Sequence, residues 1–127
     1  MANPQSVTVS AFVDTSASID TGICHGQAGE YKLESITIVP FAALAESGSN
    51  KYVIAFQNGS DTVATSYDTS DSGNVLAAQT PKSLTVTSTA GSALEFGATD
   101  VLKITATKTG TANLKVHFVC AFSQVRV

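Results

Sequence analysis

Tryptophan is absent from this 127-residue chain, and Asp, Glu, Lys and Arg together supply only 13% of it. The few charges balance to a net −3. A protein that holds nucleic acid without regard to sequence needs a clustered basic surface, so no nucleic-acid partner is expected. No apolar run approaches the roughly 18 residues that cross a bilayer, so no membrane partner is expected. The opening MANPQSVTVSAFV lacks the basic and apolar regions of a signal peptide, and the chain reads as a product of the cytoplasm. Cysteine is scarce: Cys24 and Cys120 are the whole supply, and without a secretion signal both are expected as free thiols.

Catalytic signatures are missing too. There is no G-x-S-x-G, no H-E-x-x-H and no glycine loop of the phosphate-binding kind. A Ser-His-Asp arrangement would have to use His25 or His117, and neither has supporting sequence around it. Cys24, His25, His117 and Cys120 are of types that bind zinc, but their spacing is wrong. His117 and Cys120 lie three apart on a predicted strand and so point to opposite faces, and the adjacent Cys24 and His25 have the same difficulty. Asp61, Asp68, Asp71 and Asn74 offer oxygen ligands without the regular spacing of a calcium loop, and read as solvated loop residues. The expectation is therefore a protein that is not an enzyme, with no catalytic residue, no metal and no cofactor.

What the chain does contain is strand and turn chemistry. Thr, Val and Ile favour strands, and Gly, Ser and Asn favour turns. The length suits one domain, residues 1–127. Strands are predicted over Ser6–Val13, Glu30–Val39, Lys51–Gln57, Thr62–Tyr67, Leu84–Ser88, Asp100–Thr107 and Ala112–Val127. Shorter extended pieces fall at Gly22–Gln27 and Ala93–Phe96, and Asp14–Thr21 reads as a polar loop. Asn58-Gly59 is a hairpin signal, because both residues tolerate positive φ. Pro40 ends its strand, and Phe41–Ala45 and Val75–Ala78 each have room for one helical turn. In the last strand Leu114, Val116, Phe118, Cys120 and Phe122 form the inward set, with Lys115, His117, Val119, Ala121 and Ser123 opposite. About eight mostly antiparallel strands at short spacing predict an all-β chain, a single β-sandwich or jelly roll.

One strand breaks its own alternation. Tyr31 and Leu33 point one way, whereas Ile36 and Ile38 point the other. Either a bulge near Glu34-Ser35 turns the second half back to the core, or Ile36 and Ile38 face a partner subunit. At the N-terminus, residues 1–6 form a candidate extended arm: Pro4 disfavours helix, and nothing in Met1, Ala2, Asn3, Pro4 or Gln5 is bulky enough to need a core of its own. Such an arm can clamp a partner by adding contact area, or fold back on its own subunit. The low-charge, Ser/Thr-rich surface suits packing against other protein, and equally a plain solvated sandwich. An adhesion or carbohydrate-binding module is the alternative, although only Tyr31, Tyr52 and Tyr67 are offered here as a sugar platform.

The stretch GEYKLESITIVPFAALA, followed by NKYVIAFQNG, resembles small virion proteins of tailed phages, in which an "aGxYrvxxvxivPxaaL" run precedes a "nYaxixlxNg" strand. Leu84-Thr-Val-Thr, Ala93–Ile104 and Lys108-Thr-Gly-Thr match a later part of the same pattern. The resemblance covers most of the chain from Gly29 onward and rests on fold punctuation, so no site residue is carried over. It implies a head decoration (cement) protein, a structural component on the outer surface of the capsid in the virion, made in the host cytoplasm. Its implied partners are the major capsid protein and further copies of itself, as a homotrimer at capsid threefold axes.

Overall fold

Alternating side chains and frequent turn residues produce nine strands, every pairing antiparallel, in a computed structural model that describes residues 5–87 and 93–125. They are β1 (Ser6–Thr15), β2 (Ile19–Ile23), β3 (Tyr31–Pro40), β4 (Lys51–Asn58), β5 (Asp61–Asp68), β6 (Lys82–Leu84), β7 (Glu95–Phe96), β8 (Leu102–Thr109) and β9 (Leu114–Gln124). One sheet runs β1-β9-β3-β6, with β7 also on β3, and the other runs β2-β8-β4-β5. Apart from the β4–β5 hairpin, consecutive strands of these two paths alternate between sheets. This is the winding of a jelly roll, and the two inner faces enclose one core.

The core is built from the predicted alternation. Leu114, Val116, Phe118, Cys120 and Phe122 are all buried, while Lys115, His117, Val119, Ala121 and Ser123 lie half-buried on the opposite face of β9. From the other sheet come Tyr52, Ile54, Phe56, Leu102 and Ile104. Phe56 meets Phe118 edge-on at 6.0 Å, and Phe96 meets Phe122 at 5.6 Å, the geometry that the aromatic quadrupole favours.

The phase break in β3 is a bulge. Leu33 pairs with Phe122 and Ser35 with the adjacent Ala121, so Glu34 is the extra residue. The Glu34 carboxylate swings outward and accepts a hydrogen bond from Ser123 Oγ at 2.6 Å. Tyr31, Leu33, Ile36 and Ile38 consequently share one buried face. This corrects the expectation that Ile36 and Ile38 could face a partner: both are 0% exposed within the single chain.

Other expectations shift by a residue or more. The β4–β5 loop is Gly59-Ser60, because Asn58 pairs with Asp61, and Gly59 takes the positive φ of 62°. Asn58 stays in the strand, and its amide donates to Ala93 O at 2.8 Å, tying β4 to the β7 segment. β2 occupies Ile19–Ile23, part of the expected polar loop, because Ile19 and Ile23 find partners in Ala106 and Leu102 of β8. Neither Phe41–Ala45 nor Val75–Ala78 turns into a helix. Instead Leu44 and Leu76 exchange backbone hydrogen bonds of 2.8 and 3.0 Å, pinning the two long connections to each other. Beyond β6 the chain crosses to the second sheet, where Val86 bridges Ala64 and Thr87 N donates to Val63 O at 2.8 Å. That crossing closes the β5/β6 side of the sandwich.

Candidate protein interface

The outer face of the first sheet gathers side chains that the alternation puts in solvent. In β1 the residues Ser6, Thr8, Ser10, Phe12 and Asp14 point away from the core. Phe12 stands out among them at 60% exposed. Its neighbour across the ladder is His117 of β9, whose own neighbour on the far side is Val39 of β3. Phe41 follows directly after β3 and is anchored by Phe41 N donating to Lys115 O at 3.0 Å. Its ring stacks on Phe12 with centroids 5.0 Å apart and planes 11° from parallel. His117 packs against both rings, edge-on to Phe12 at 5.0 Å and tilted to Phe41 at 5.7 Å.

Val39, Val119 and Ala121, all half-buried, continue this surface along the sheet. Charges lie toward its ends: Asp14 is paired in register with Lys115 at one, and Lys32 and Glu34 stand at the other. An apolar centre with aromatic residues and a charged rim is how protein interfaces are built. The alternation of the last strand already placed His117 opposite its inward set. What it could not show is that Phe41, past Pro40, folds back across His117 onto Phe12.

The other sequence candidates do not converge on a site. Met1, Ala2, Asn3 and Pro4 lie outside the described residues. Gln5 is exposed and engages its own chain: Gln124 N donates to Gln5 O at 2.7 Å, and Tyr31 OH donates to Gln5 Oε1 at 3.5 Å. His117 and Cys120 occupy opposite faces of β9. Burial pushes the Cys120 thiol up to about 12. Cys24 is exposed, its thiol donating to Ala98 O at 3.1 Å, and neither cysteine is in a disulfide. His25 is buried, with Nε2 against Phe96 O at 2.8 Å and Nδ1 accepting from Gln27 N at 3.0 Å, so both ring nitrogens are already used within the fold. Among the described residues no group of three or more His, Cys, Asp or Glu side chains is placed to hold a metal.

Of the loop acids, Asp61 and Asp71 are exposed, whereas Asp68 is tied into its own loop. Asp68 accepts from Ser70 Oγ at 2.6 Å, Ser70 N at 2.9 Å and Lys51 Nζ at 3.0 Å. Chiefly through the serine hydrogen bonds, its carboxyl is lowered to about 2. Asn74 Nδ2 donates to Asp68 O at 2.9 Å, so the loop closes on itself. A groove of about 330 Å³ beside it is lined by residues including Ser66, Tyr67, Asn74, Lys82 and Leu84. Its larger polar groups are already committed: Tyr67 OH donates to Asn74 O at 2.9 Å and Lys82 Nζ to Gly73 O at 2.7 Å.

The three tyrosines make no sugar platform. Tyr31, Tyr52 and Tyr67 are 2%, 0% and 6% exposed. Burial raises the hydroxyls of Tyr52 and Tyr67 above their ordinary value, with Glu46 adding to the rise at Tyr67. Tyr52 OH donates to Ala17 O at 3.0 Å, bracing the β1–β2 turn.

No family model matches the chain, and no curated protein matches it. Among solved structures, a chain of the cyanophage Pam1 capsid asymmetric unit shares its fold with a TM-score of 0.51 and 12% identity. The alignment covers 96% of this chain and 84% of that one. No helix among the described residues is long and apolar enough to cross a membrane.

Proposed function

We propose that the protein is a structural component of a phage virion, a decoration protein that binds the outer surface of the capsid through contact with the major capsid protein. The observation that carries this reading is the aromatic face centred on Phe12, Phe41 and His117, set in a jelly roll that has a capsid chain as a structural neighbour. An exposed Phe stacked on a second ring contributes little to the stability of its own domain, while burying that pair against another protein contributes to binding. The expected contacts at Ile36 and Ile38 are replaced by this face. An N-terminal arm, Met1–Pro4, adds to the clamp in this reading, entering from Gln5 at the end of the same sheet.

The reading is tested by binding. Purified protein is added to heads of the phage that encodes it, stripped of the native copy, and occupancy is read after sedimentation. Occupancy that saturates and raises the temperature at which heads rupture supports decoration. Phe12→Ser combined with Phe41→Ser should reduce occupancy by at least roughly tenfold while the free protein keeps its melting behaviour. Undiminished occupancy by that double variant would move the contact to another face. The sugar-binding alternative loses its tyrosine platform, since Tyr31, Tyr52 and Tyr67 lie in the core.

A further inference from the structure

Sheet edges expose unpaired N–H and C=O groups, and soluble proteins blunt them. Three of the edges here are blunted. β6 is three residues long. β5 is bulged twice against β4 and carries the Val86 bridge on its free side. β2 is five residues long and contains Asp20 and Gly22. β1 is different: it is ten residues long and pairs with β9 in unbroken register from Ser6↔Ser123 to Thr15↔Leu114. It contains no Lys, no Pro and no bulge, and Asp14 is its one charge.

The phase of the ladder identifies which groups are free. Gln124 N donates to Gln5 O, so Gln5 points its backbone at β9. In an antiparallel strand every second residue does the same. Val7, Val9, Ala11 and Val13 therefore bond to β9, and Ser6, Thr8, Ser10, Phe12 and Asp14 direct their N–H and C=O outward. No backbone partner from the rest of the chain meets these groups among the described residues.

We infer that β1 is a self-association edge, at which a second copy of this chain adds its own β1 antiparallel about a two-fold axis at Ser10. Full overlap sets Ser10 opposite the partner's Ser10, Thr8 opposite the partner's Phe12 and Ser6 opposite the partner's Asp14. The outward groups of both strands then close about ten backbone hydrogen bonds. The same register keeps Val7, Val9, Ala11 and Val13 of both copies on the inner face. It sets each Asp14 against a serine, so no like charges face each other. It also lays the two Phe12–Phe41 stacks on one continuous outer surface. The edge fits itself in parity, charge and length, which selects a second copy over an unrelated strand. The result is a dimer, distinct from the trimer that the phage-protein resemblance implies, and it stands independently of the capsid reading.

The free protein suffices for the test. Sedimentation velocity from roughly 1 μM to 1 mM should show a monomer–dimer equilibrium. Ser10→Lys, which sets two ammonium groups face to face at the axis, should raise the dimer dissociation constant at least roughly tenfold. Ser10→Pro removes an outward N–H at a position where an edge strand tolerates proline, and should act the same way with the monomer still folded. In a Cys24→Ser background, Ser10→Cys should cross-link to its own partner under mild oxidation, because directly opposed residues lie about 5.5 Å apart at Cα. Thr8→Cys, opposite Phe12 of the partner subunit, should not. A strict monomer across the range, a trimer, or a dimer indifferent to both Ser10→Lys and Ser10→Pro would overturn the assignment.

Discussion

Buried and exposed residues of the same strand should behave very differently when truncated. Phe118 is 0% exposed and meets Phe56, so Phe118→Ala should cost about 3–5 kcal/mol in a urea melt, whereas Lys115→Ala on the half-buried outer face should be near neutral. The two thiols divide in the same way. Cys24 is exposed and Cys120 buried with its thiol raised to about 12. A thiol reagent should therefore modify one cysteine in native protein and both in denaturant. Asp68 sets an acid limit. Its carboxyl is lowered to about 2 in the folded chain, below the roughly 3.9 of an unfolded Asp. A depressed folded value adds stability above the unfolded value, and that contribution is lost as pH falls from about 4 toward 2. Asp68→Asn should flatten the native protein's change in urea midpoint across this window. Equal slopes in the two proteins would show that the loop does not depend on the carboxylate.

At the level of the element, the strand pattern was largely legible and the connections were not. β9 could be read residue by residue, because a period-2 alternation over eleven residues has one reading when one face is apolar. The β3 bulge was legible as one of two alternatives. The choice between them needed the partner strand, since only the pairing with Phe122 and Ala121 shows that Glu34 is the extra residue. The helical turns expected at Phe41–Ala45 and Val75–Ala78 failed because local composition says nothing about Leu44 meeting Leu76, far along the chain. The stack of Phe41 on Phe12 was hidden for the same reason. The bulge makes a prediction of its own. Deleting Glu34 should remove the bulge and leave a regular ladder, because Leu33 already pairs with Phe122 and Ser35 with the adjacent Ala121. Tyr31, Leu33, Ile36 and Ile38 then stay on the buried face, and unfolding stays cooperative. Glu34→Ala, which keeps the extra residue and removes only the bond to Ser123, should stay cooperative too. Deleting Thr37 instead, a residue paired with Val119, should shift one half of β3 by one residue, turn part of its apolar set to solvent and abolish the cooperative transition. A cooperative transition in the Thr37 deletion would mean that the register is not fixed by the core.

At the scale of the whole molecule, the scarcity of charge becomes a statement about how the protein binds. A net −3 on 127 residues, with 13% charged, leaves little field to steer a partner from a distance. The proposed contact face concentrates Phe12, Phe41, His117, Val39 and Val119, with its charges at the margins, so its binding free energy comes from apolar burial. Salt largely screens exposed charges more than about 8–10 Å apart at ordinary ionic strength and leaves apolar burial almost untouched. Capsid occupancy should therefore change by less than about threefold between roughly 50 and 500 mM sodium chloride, and should rise in sodium sulfate, which strengthens burial of apolar surface. Lys115→Glu at the margin should alter the rate of binding more than its equilibrium, because rim charges act on encounter. A binding curve that collapses with added chloride would assign the contact to the charged ends of the sheet rather than to the aromatic face.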